Sequence, residues 1–162
     1  MKKKIVNLLI AFLMLGIIGC SNQISYSTSS VTLKQEYIKT FSPSFLIEAE
    51  NITKTSLDLY NQALSNKIPE MKTFKSNYEN FDKIKPINAN EKDFQDCIHK
   101  FGNYYSMLAL DANILKTEQD LRDRGIEGKE EYNRKMNKYN NSKEENLKHI
   151  KDDLDNIMKY FE

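Results

Sequence analysis

Glycine and proline are scarce in this chain, five and three among 162 residues, and tryptophan is absent. Folds made of many short strands need frequent turns, and turns draw on glycine and proline, so a turn-rich β architecture is excluded. Histidine and cysteine occur only twice each. His99 and His149 have no carboxylate or thiol at a telling ligand spacing, and Cys97, two residues from His99, faces another side of any helix they share. A Glu-x-x-His pair, which a di-iron bundle requires, does not occur. Nor does a G-x-S-x-G elbow, a P-loop or a dinucleotide fingerprint. The carboxylate runs Asp152-Asp153 and Glu130-Glu131 sit beside lysines and read as solvated helix faces. No metal, no cofactor and no catalytic group is therefore expected, and the chain reads as a non-enzyme. Excess charge of one sign is missing too. With 24 basic and 23 acidic residues, the chain has no electrostatic footprint for nucleic acid.

Long apolar runs are also lacking, apart from one near the start. Lys2, Lys3 and Lys4 precede an apolar stretch from Ile5 to Ile18, broken only by Asn7 and Gly16. That length suits the apolar region of a secretory signal peptide and falls short of the roughly 20 residues that span a bilayer as a helix. The run ends Ile17-Ile18-Gly19-Cys20. This resembles the lipobox of bacterial lipoproteins, with an aliphatic residue, a tolerated one, a small one and then cysteine. Ile17 stands where leucine is usual. The resemblance covers residues 1–20 and implies cleavage between Gly19 and Cys20, with diacylglyceryl and a further acyl chain such as palmitate carried on Cys20. It implies a protein exported and held by lipid on the outer face of the cell membrane or in the outer membrane.

The residues after Cys20 fit that reading. Ser21 to Ser30 are mostly small and polar, Ile24 and Tyr26 excepted, and such a segment cannot bury enough apolar surface to order itself. The expected organisation is a signal peptide over 1–19, a lipidated cysteine with a flexible tether over 20–32, and a domain over 33–162. Cleavage removes three basic residues and no acidic one, leaving a formal charge of −2. With Cys20 committed to lipid, Cys97 has no partner for an internal disulfide, and stability must come from a packed core.

The rest of the chain reads as helix. Leu33, Tyr37, Ile38 and Phe41 have helical spacing up to Ser42-Pro43, which is either a kink or a fresh start with Ser42 as N-cap. A stripe from Phe45 through Ile52, Leu59 and Leu64 runs on to about Asn66. Pro69 opens a segment with Met71, Phe74, Tyr78 and Phe81, closed by Lys85-Pro86. Asn90 is placed to cap the next helix, whose stripe includes Phe94, Cys97, Ile98, Phe101, Tyr105, Leu108, Ala112, Leu115 and Leu121. Gly125 and Gly128 bracket a turn. The last helix carries Tyr132, Met136, Tyr139, Leu147, Ile150, Leu154, Ile157 and Phe161. The expected fold is all-α, an elongated and mostly antiparallel bundle of three to four helices.

Nine tyrosines stand out in so plain a sequence. Tyr104 and Tyr139 are the candidates for a binding surface, since tyrosine buries well and keeps a polar tip. Asp111 lies in the most apolar part of its helix, either paired across the bundle or pointing outward. Cys97 reads as a small core filler. The function expected is a lipid-anchored module that binds another macromolecule of the envelope or surface. A carrier of an apolar ligand between the helices is the alternative, followed by an enzyme whose site is assembled only in three dimensions.

Overall fold

The computed structural model describes residues 26, 31–65, 71–126 and 128–162. The signal segment, the cleavage site at Gly19 and Cys20, and the expected breaks at Asn66 and Pro69 lie outside the described residues. Among the described residues there are five helices and no sheet: α1 (Gln35–Ile38), α2 (Pro43–Leu64), α3 (Met71–Asp82), α4 (Ala89–Asp123) and α5 (Lys129–Met158). The fold is an all-α helical bundle.

Ser42-Pro43 is a fresh start. Ser42 is extended (φ −64°, ψ 149°) and Pro43 occupies the first turn of α2, where a missing N–H costs nothing. At α4 the cap is Asn88 rather than Asn90. The Asn88 side chain accepts the Glu91 N–H at 2.9 Å, so the helix begins one residue before the expected cap. The α4–α5 turn follows its glycine. Gly125 adopts φ 71°, its N–H reaches the Arg122 carbonyl at 2.9 Å, and the Ile126 N–H reaches the Leu121 carbonyl at 2.9 Å. These two bonds satisfy carbonyls that the end of α4 would otherwise leave unpaired.

α4 and α5, 35 and 30 residues long, form the hairpin that dominates the molecule, about 50 Å along its longer arm. On α4, Phe94, Ile98, Phe101, Tyr105, Leu108 and Ala112 are buried at alternating steps of four and three. That repeat keeps one stripe facing the partner elements along a long helix. α2 and α3 cover the first half of this stripe. Phe45 meets Phe81 and Phe94 with ring centroids 5.1 and 5.8 Å apart, and Phe74 meets Phe101 at 5.6 Å. α3 comes close because Gly102 offers no side chain. A Cβ there would lie 3.3 Å from the Phe74 ring. Tyr160 closes the aromatic cluster against Tyr37 and Phe94, and burial pushes its hydroxyl up to about 12.

The domain's two chain ends meet. Leu33, expected in helix, instead bridges Phe161 in antiparallel fashion, with Lys34 N–H on the Tyr160 carbonyl (3.0 Å) and Glu162 N–H on that of Thr32 (2.9 Å). Val31 is buried.

Candidate functional site

α2 and α3 are too short to accompany the α4–α5 hairpin to its tip, so its distal half has little besides itself to pack on. The core stripe thins there to Ala109, Ala112 and Tyr132. The Arg122 guanidinium lies 4.4 Å from the centroid of the Tyr132 ring, closing the hairpin near its turn.

Three cross-helix pairs hold the two arms together, spaced by seven residues on each. Tyr104 stacks on His149 (centroids 4.5 Å, planes 13° apart), Ser142 Oγ donates to Asp111 Oδ2 at 2.6 Å, and Lys135 Nζ meets Glu118 Oε2 at 2.5 Å. The spacing of seven is that of an antiparallel coiled-coil seam. Asp111 is therefore paired across the bundle. Between the last two pairs lies an open groove of about 250 Å³, lined by Ile114, Leu115, Lys138 and Tyr139 together with the paired side chains. Burial raises the Tyr139 hydroxyl, and the neighbouring Asp111 carboxylate raises it further.

Beside this groove α4 carries a second apolar series. Met107, Leu110 and Ile114 are 53, 60 and 50 % exposed, and their spacing of three and four puts them on one outward face. Exposed leucine or isoleucine taken singly is ordinary, but three in a row beside a groove form a patch. Sequence reasoning passed over these residues, although Met107-Leu108-Ala109-Leu110 holds more apolar side chains than one helix face can bury.

Of the two tyrosines singled out from sequence, Tyr139 lines the groove and Tyr104 does not. Tyr104 is half-buried under His149, about 15 Å further along α5 than Tyr139 by residue count. The two tyrosines thus lie apart along the hairpin, only Tyr139 at the groove. Cys97 is half-buried at the rim of the core, where burial and then the nearby Asp153 push its thiol up. A raised thiol is a poor nucleophile. His99 binds Asp82 across the surface (Nε2–Oδ1 2.9 Å) beside the Tyr78 ring. Among the described residues no three His, Cys, Asp or Glu side chains converge as a metal would require, and no helix is long and apolar enough to cross a membrane.

No protein-family model, curated protein or solved structure matches the chain.

Proposed function

We propose that this chain is a lipid-anchored, non-enzymatic protein of the bacterial envelope that binds another protein through the distal half of its α4–α5 hairpin. The observation that carries the reading is the outward ridge of Met107, Leu110 and Ile114. It adds nothing to the core, lies beside a groove with one tyrosine wall, and stands on helices paired along their length. An amphipathic helix or extended segment of a partner could lay apolar side chains along the ridge while its polar groups meet Tyr139 and Lys138. The lipobox at Ile17–Cys20 supports the anchor, and Cys20 is the residue that would carry the lipid.

The test is crosslinking in living cells with a photoreactive residue at position 110, compared with one at exposed Ile47 on α2. A discrete crosslinked species from position 110 and none from position 47 is expected. Equal, diffuse crosslinking from both would sink the binding surface. For the anchor, Cys20→Ala should leave the fold intact and move the protein out of the membrane fraction. Retention of the variant there would defeat it.

A further inference from the structure

Tyr26 is one of two large side chains in an otherwise small and polar stretch, and it is held by three separate contacts. The Asn61 side chain reads both of its backbone groups. Asn61 Oδ1 accepts the Tyr26 N–H at 3.3 Å, and Asn61 Nδ2 donates to the Tyr26 carbonyl at 2.8 Å. The Tyr26 ring packs on that of Tyr60, centroids 5.8 Å apart. Its hydroxyl donates to Asp155 Oδ1, while Asp155 Oδ2 accepts from Lys151 Nζ at 2.5 Å. Residues of α2 and α5 thus converge on a position 35 and 129 residues away in sequence. A chain passing by chance would not have both its backbone groups and its hydroxyl satisfied.

We propose that Tyr26 is a clasp that fastens the membrane tether to the α2–α5 face and so fixes how far the bundle stands from the bilayer. The proposal rests on the reading of Cys20 as the lipid anchor. Tyr26 is six residue steps from Cys20, a span of at most about 20 Å, whereas the eleven steps from Cys20 to Val31 could reach about 37 Å. Fastening roughly halves the leash. It also makes the α2–α5 face, where Tyr60 and Asp155 lie, the point of departure in place of the Leu33–Phe161 bridge. Release at Tyr26 would give the ridge on α4 a wider radius in which to meet a partner, while uncovering the buried Tyr60 ring.

The clasp is tested by chymotrypsin acting on the full chain in mild detergent, following the cut after Tyr26 by mass. Cleavage requires Tyr26 to leave Tyr60, and its rate follows the population of that open form. Asn61→Ala removes two hydrogen bonds and should accelerate the cut about tenfold, with Asp155→Ala accelerating it by a smaller factor. Cuts elsewhere in the bundle should keep their wild-type rates. Wild-type rates after Tyr26 in both variants, or equal acceleration at every site, would overturn the clasp. Detergent-phase partitioning of the same wild-type sample reports lipid on Cys20 separately, so a failed anchor and a failed clasp give different results.

Discussion

The carboxylate of Glu91 accepts the backbone N–H of Ser42 at 2.6 Å, across 49 residues of sequence, and its other oxygen accepts the N–H of Ile87 at 2.8 Å. Glu91 is fully buried. One side chain thereby serves the start of α2 and the start of α4, each an end whose first N–H groups lack partners inside the helix. The positive ends of both helix dipoles favour the negative charge. This junction sets the two N-termini side by side and seats Phe41, Phe45 and Phe94 against one another.

Glu91→Gln should therefore cost more than a surface change of the same size. The amide keeps one acceptor but turns an N–H toward a backbone N–H, losing a charge-assisted bond worth about 1.5–3 kcal/mol. Thermal denaturation should show the melting temperature falling by several degrees. An unchanged melting temperature would mean that the carboxylate does not join the two helices.

Asp153→Asn should do the opposite and stabilise the protein at neutral pH. Asp153, expected from the sequence on a solvated face, is instead only 8 % exposed because it lies on the packed side of α5. Its Oδ2 has no hydrogen-bond partner among the described residues, and burial raises its carboxyl above the ordinary range. Lys100 and His149 oppose that rise and Asp152 adds to it. A carboxyl raised by folding contributes stability that is complete below its unfolded value near 4 and is lost as pH climbs through the folded one. The gain from the asparagine should be about 1 kcal/mol at pH 7, the low end of what an unpaired buried polar group costs, and should fade by about pH 3–4. Urea denaturation of both proteins at the two pH values measures it. A gain that does not change with pH would show that the charge of Asp153 is not its source.

Leu108 and Leu110 are two residues apart on α4 and should respond very differently to truncation. Leu108 is buried, and Leu108→Ala should cost about 2–5 kcal/mol. Leu110 faces outward, and Leu110→Ala should stay within about 0.5 kcal/mol. Similar losses at both positions would mean that the ridge is part of a core. If the proposed binding surface is right, Met107→Lys should also leave the melting temperature alone and abolish the crosslinked species formed from position 110.

Cys97 should react slowly. Burial raises its thiol, so a disulfide reagent at pH 8 should label it about tenfold or more slowly in the native protein than in urea. Labelling at the same rate in both conditions would show an open, accessible thiol at the rim of the core.

The helical class and most of the breaks were legible in the residues. Pro43 and Gly125 act through their own backbones, fixing a dihedral or permitting a positive one, so their effect does not wait for a partner. The three-four rhythm of Phe94, Ile98, Phe101, Tyr105 and Leu108 reports one buried face for the same local reason. Which asparagine caps α4 was less legible, because Asn88 and Asn90 are both good caps. Asn88 prevails where Glu91 is drawn under the helix by the N–H groups of Ser42 and Ile87.

What the sequence by itself determined is an all-α chain, its turn at Gly125, and the apolar stripes that close its core. Only the tertiary structure decided which apolar residues are left over. α2 and α3 run out before α4 does, and nothing local to Met107, Leu110 or Ile114 records the length of a helix packed on the opposite face. The same holds for Tyr26, whose partners Asn61 and Asp155 arrive from distant parts of the chain. Propensity and capping act over about one turn of helix, whereas burial depends on which segments reach the same place.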